Sequence, residues 1–130
     1  MIKTLDITKG ETEGLYNYLS SAITPRPIAL VSTIDKDGSM NLAPFSFFNA
    51  FGANPPIVGF SPALSGRTGL PKDTLLNIKE TKEFTISIVN SSIVEQISLS
   101  SCEFDKNTDE FIKSGLTKLE SQKIQAYGVL

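Results

Sequence analysis

The sequence predicts a mainly β fold: a small β-barrel with peripheral α-helices. Three observations carry this. Pro27 to Ile34 is rich in β-branched residues and opens on a proline, as a strand tolerates. Asp35-Lys36-Asp37-Gly38 follows as a hairpin signal, because Asp-Gly accepts the positive φ angles of tight connections. Glu83 to Val89 alternates with period two and predicts Phe84, Ile86 and Ile88 on one buried face. Strands separated by helices are also compatible with an α/β sheet, so the pattern ranks the barrel first and leaves that alternative open.

The remaining elements follow in chain order. Leu15 to Leu19 reads as a short helix weakened by Gly14. Ser39 to Ala43 is expected to pair back on the first strand, and Ile57 to Phe60 forms a third short apolar run. Asp73 or Thr74 is expected to cap a helix with the stripe Leu75, Leu76 and Ile78. Ser92 and Glu95 stand at capping-box spacing and predict a second helix from Ser92. A third helix is expected from about Thr108 to Ser114, with Asn107 and Glu110 at its start and Gly115 as its left-handed stop.

Composition narrows the chemistry. The chain has 130 residues, 40% of them hydrophobic, which suits a single domain spanning 1–130 with a real core. A net charge of −2 and a pI near 5.1 oppose the broad basic footprint of a nucleic-acid binder. No apolar run approaches the length of about 18 residues that a membrane span needs. The charged N-terminus lacks the apolar core of a signal peptide, and the lone Cys102 fits a reducing compartment, so a cytoplasmic location is expected. With no histidine, Ser-His-Asp and Cys-His catalysis are excluded, and one cysteine excludes a thiolate metal site within one chain. Neither a dinucleotide-binding GxGxxG after a strand nor a P-loop occurs. An enzyme built from these side chains would rely on a bound cofactor for its difficult chemistry.

Two stretches stand out. Asn41 to Gly52 crowds Phe45, Phe47, Phe48 and Phe51 among Pro44, Ser46 and Asn49. Core packing would explain the aromatics, but Phe48 breaks the parity of the others, which favours an irregular loop suited to a planar, hydrogen-bonding ligand. Ser61 to Thr74 combines hydroxyls and glycines with Arg67 and Lys72 ahead of a helix. Those groups suit a phosphate, although by themselves they fit a solvated loop with Asp73 as an ordinary N-cap somewhat better. Asp73 would repel an anion on the helix end itself, so Arg67, Lys72 and Thr74 are better candidates than the helix dipole.

Four motifs in order resemble the flavin reductase-like proteins, the flavoredoxin branch above all. They are Thr24 to Thr33, the stretch Asn41 to Asn49, Lys72 to Ile78 and the strand Glu83 to Asn90. Asp109-Glu110-Phe111 with Ser114-Gly115-Leu116-Thr117 is similar to a further segment of that branch. The resemblance covers about residues 14 to 128 and implies a split β-barrel that binds FMN and works as a homodimer. It implies that Ser46, Phe47, Phe48 and Asn49 meet the isoalloxazine ring and that Ser61 lies near the ribityl phosphate. Arg67, Lys72 and Thr74 would then hold the phosphate, with Asn77 on the same helix. Arg26 belongs to the Thr-Pro-Arg-Pro motif, where a purely structural role is equally open, and it stays outside this set. The implied activity is FMN-dependent oxidoreduction, with electrons exchanged between FMN and NADH, NADPH or a redox protein. A non-catalytic FMN-binding electron-transfer module and a remnant that dimerises without cofactor are the alternatives. Family members continue with further barrel strands beyond the region of Gln125 to Leu130, so the final strands are expected to be missing.

Overall fold

The computed structural model describes residues 4, 6–9, 14–66, 68–105 and 108–130. Its centre is β1 (Ala29–Ile34), whose six residues are all buried. The hairpin turn forms as expected: Asp35 Oδ1 accepts the Asp37 and Ser39 N–H groups at 2.9 and 2.8 Å, and Gly38 takes φ 87°. β2 (Met40–Phe45) returns antiparallel, pairing Ala29 with Phe45 and Ile34 with Met40. β5 (Thr85–Ile88) flanks β1 on its other side, also antiparallel, giving the order β2-β1-β5. β3 (Phe48–Ala53) and β4 (Pro56–Phe60) form a separate hairpin, and β6 (Lys118–Leu119) pairs with β7 (Gly128–Val129). Every pairing among the described residues is antiparallel, which removes the α/β alternative; the strands do not close into a complete barrel.

The two faces of β1 bury different cores. Leu30 and Leu42 point to one side, where Ile97, Phe111 and Leu116 pack on them. Ile97 comes from α3 (Val94–Ser100) and Phe111 from α4 (Glu110–Ser114). Ala29, Val31 and Phe45 point to the other side, against Phe48, Phe60 and Ile86. α1 (Leu15–Ala22) precedes the sheet and extends past the predicted Leu19. α2 (Asp73–Thr81) lies against β1 through a polar seam: Asn77 Nδ2 donates to Thr33 Oγ1 at 3.1 Å, and Asn41 Nδ2 donates to Thr74 Oγ1 at 2.8 Å.

Several expectations are corrected. The aromatic stretch is mostly strand: β2 runs to Phe45 and β3 starts at Phe48, leaving Ser46 and Phe47 as the corner. The parity break at Phe48 therefore marks a change of strand, and Phe51 sits where the β3–β4 register shifts. Phe84, Ile86 and Ile88 do not form a buried face. Ile86 is half-buried, whereas Phe84 is 38% and Ile88 68% exposed. β5 is an edge strand, and the cover from Phe45 and Phe60 does not extend over Ile88, which pairs with Ala29 at the strand end.

Helix starts also differ from the sequence reading. Neither Asp73 nor Thr74 caps α2; Lys72 holds the N-cap position without a side-chain bond, and Asp73 is inside the first turn, where its charge favours the dipole. Ser92 does not cap a helix either. Asn90 Oδ1 accepts Ser92 N–H at 2.9 Å and opens a 3-10 turn, Ser91–Ile93, so the α-helix begins only at Val94. Asp109 caps α4 by accepting from Phe111 and Ile112 N–H, which moves the start from Thr108 to Glu110. Asn107 lies outside the described residues. Gly115 ends α4 at φ 70°, as its position predicts.

Candidate functional site

The corner between β2 and β3 is held at its base by Ser61 N–H donating to Phe47 C=O at 2.9 Å, which extends the β3–β4 hairpin by one bond. That bond brings Ser46, Phe47 and Ser61 together, and two clefts open on either side of them. One, of about 480 Å³, continues through Tyr16, Phe45, Leu64 and Gly66 to Lys72. The other, of about 630 Å³, continues through Phe48, Asn49, Phe51 and Phe60 to Arg26. The Tyr16 ring meets Phe47 edge-on at 5.8 Å. Gly59 permits the second cleft's wall: a Cβ there would stand 2.9 Å from the Phe51 ring.

Charge distinguishes the clefts. No carboxylate lines either of them among the described residues. Lys72 Nζ stands 5.6 Å from the Phe45 ring centroid, and the Arg26 guanidinium stands 5.2 Å from that of Phe47. A third cleft, of about 410 Å³, lies on the far side of Lys72 and is lined by Thr74, Ser100 and Cys102 together with Asp73, Glu103 and Glu110. Its three carboxylates make it the poorer place for an anion. Burial pushes the Glu110 carboxyl above the usual carboxylate range, with Asp109 and Asp73 adding to the effect; its own backbone N–H and that of Leu42 pull the other way. Leu42 N–H donates to Glu110 Oε2 at 3.1 Å, tying α4 to β2.

The structure thus brings together Ser46, Phe47, Phe48, Asn49, Ser61 and Lys72 around adjoining clefts. Thr74 is one step removed: buried in the third cleft's wall, with its hydroxyl accepting from Asn41. Asn77 lines neither of the first two clefts and spends its amide on Thr33. Arg67 lies outside the described residues. Tyr16 and Arg26 are contributors that the sequence reading did not select. Arg26 had a visible signal, since prolines on both sides hold its backbone extended. Tyr16 had none, because only the packing of α1 brings it to Phe47. No group of three or more His, Cys, Asp or Glu among the described residues could hold a metal ion, and no helix among them is long and apolar enough to cross a membrane.

The family model for the flavin reductase like domain matches residues 20–128. The chain belongs to the flavin reductase-like family. It is 41% identical over 118 residues to an uncharacterized protein of Aquifex aeolicus, covering 89% of this chain and 60% of that one. The nitrilotriacetate monooxygenase component B of Bacillus cereus superposes with a TM-score of 0.88 at 32% identity, over 99% of this chain and 63% of that chain. Flavoredoxin of Desulfovibrio vulgaris (Miyazaki F) superposes with a TM-score of 0.69 at 27% identity, over 82% and 55%. The similarity includes the flavoredoxin branch, and the split-barrel fold class follows from the family. The chain spans 52 to 60% of the length of the first curated relatives it matches. In this flavin reductase-like chain the corner at Ser46 and Phe47 is where the two clefts meet.

Proposed function

We propose that this chain binds FMN and serves a flavin oxidoreductase, with Lys72 at the phosphate and the Ser46–Asn49 corner at the ring. The observation that carries the reading is the shared corner: one acid-free cleft ends at a lysine, the adjoining one is walled by Phe47, Phe48, Phe51 and Phe60, and Ser46, Phe47 and Ser61 belong to both. A ligand with a phosphate at one end and a planar heterocycle at the other suits that pair of clefts. Among candidate partners of the phosphate, Lys72 supplies charge and Ser61 a hydroxyl. Arg67 joins them on its sequence position alone. Thr74 and Asn77 act indirectly, by fixing α2 and hence Lys72 against β1 and β2.

FMN supplies reversible acceptance and release of hydride or electrons. The residues of the chain bind, orient and shield it. Phe47 and Phe48 offer apolar walls, Ser46 and Asn49 offer hydrogen bonds, and the absence of lining carboxylates among the described residues keeps the clefts receptive to an anion. Electrons would come from NADH, NADPH or a redox protein, and the working unit would be a homodimer. The family match and the flavoredoxin likeness support this class of activity.

The test is a titration of the purified protein with FMN and riboflavin, followed by flavin absorbance. Lys72→Ala is expected to weaken FMN about ten- to hundredfold and riboflavin little, because a charge-assisted bond to phosphate contributes roughly 1.5–3 kcal/mol. Equal weakening of both ligands would remove Lys72 from the phosphate. Oxidation of NADH or NADPH with FMN present separates an enzyme from a non-catalytic carrier.

A further inference from the structure

Arg26 carries an unspent hydrogen-bonding group. Its Nη1 is buried and has no hydrogen-bond partner. A buried guanidinium nitrogen left without an acceptor is costly, so an acceptor belongs there when the protein works. No acidic side chain of the surrounding cleft is available among the described residues. The Phe47 ring, 5.2 Å from the guanidinium carbon, holds the planar head in place without satisfying Nη1. Pro25 and Pro27 restrict the backbone on both sides, which limits the directions from which the side chain can start.

We propose that Arg26 binds the electronegative, carbonyl-bearing edge of the flavin ring and favours the ring's reduced form. This rests on the FMN reading above. The two cations Lys72 and Arg26 line adjoining clefts that share Ser46, Phe47 and Ser61. A flavin nucleotide likewise has two electron-rich ends, the phosphate and the pyrimidine edge of the ring. Lys72 shares its cleft with Ser61 and Gly66 and suits the phosphate. Arg26 stands among Phe47, Phe48, Phe51 and Phe60, walls that suit a flat ring. Reduction places additional electron density on that edge, and a guanidinium beside it strengthens binding of the reduced form more than of the oxidised form.

The experiment compares the wild-type chain with Arg26→Gln, Arg26→Lys and Lys72→Ala. Each is titrated with FMN and with riboflavin, and the reduction potential of the bound flavin is measured. Thermal unfolding without flavin checks that each variant folds. Arg26→Gln is expected to weaken FMN and riboflavin equally, about tenfold or more, and to lower the potential; Arg26→Lys recovers part of the potential because the charge remains. A tenfold larger loss for the reduced than for the oxidised form corresponds to a potential lowered by about 30 mV. If Arg26→Gln weakens FMN alone, the guanidinium holds phosphate and the proposal is overturned. Unchanged affinity and potential also overturn it, and a simultaneous change in sedimentation would identify a second chain as the source of the acceptor. A wild-type chain that binds neither flavin would defeat the FMN reading itself and this assignment with it, a result distinct from either of the others.

Discussion

Ser32 and Asn77 show how differently two buried polar side chains can sit on one sheet. Ser32 Oγ is buried on β1 with no hydrogen-bond partner. Removing such a hydroxyl removes a desolvation cost, so Ser32→Ala is expected to raise stability by about 1 kcal/mol, measured by urea unfolding. Asn77 is also buried but bonded to Thr33 across the helix–sheet seam. Asn77→Ala leaves the Thr33 hydroxyl short of that donor and opens a small void, at an expected cost of about 1–3 kcal/mol. Riboflavin affinity of the folded fraction should stay unchanged, because Asn77 lines neither cleft assigned to the flavin. A drop in riboflavin affinity without loss of stability would place Asn77 in the binding machinery instead.

At the scale of elements, α4 is secured at both ends by local chemistry and along its length by Glu110. Asp109 caps it and also pairs with Lys118 at 2.6 Å, and Gly115 closes it at φ 70°. Gly115→Ala forces a side chain into the left-handed region and is expected to cost about 1–2 kcal/mol in thermal unfolding. Glu110 adds a pH dependence. Its carboxyl is raised in the fold, chiefly by burial, so the folded state holds its proton to higher pH than the unfolded state does. Its contribution is therefore favourable at low pH and declines as pH rises from the ordinary carboxylate value through the raised one, then levels. Glu110→Gln keeps an oxygen for Leu42 N–H and should remove that decline. Parallel stability–pH curves for the two proteins would contradict this.

On the scale of the whole molecule, apolar side chains remain uncovered on the β3–β4 hairpin. Phe51 is 71%, Val58 55% and Ile57 49% exposed on this hairpin, and Phe51 also walls the proposed ring cleft. A concentration of exposed apolar groups beside a cleft is characteristic of an association surface. A homodimer at micromolar concentration is therefore expected, with a sedimentation mass twice the 14.1 kDa of the chain. Val58→Asp on that surface should shift the mass toward the monomer value. A monomeric wild-type chain would remove the dimer from the functional proposal.

Short-range signals were enough for much of the architecture. The Asp35–Gly38 turn, the helix after Lys72 and the stop at Gly115 each depend on bonds and φ angles within a few residues, and they were legible without any partner. The residues around the Ser46 corner, Ser61 and Lys72 stood out in the sequence as aromatic, hydroxyl and cationic groups, and the fold gathers them around adjoining clefts, where their role in binding is the proposal. Tertiary structure decided the rest. Period-two alternation at Phe84, Ile86 and Ile88 defined a face but not its cover, which depends on how far Phe45 and Phe60 reach across the sheet. The same holds for the polar groups: Asn77 turns to Thr33, Tyr16 reaches Phe47, and Arg26 Nη1 is left without an acceptor. Those outcomes rest on contacts between segments far apart in the chain, where burial and hydrogen-bond satisfaction are settled jointly by all the elements that meet.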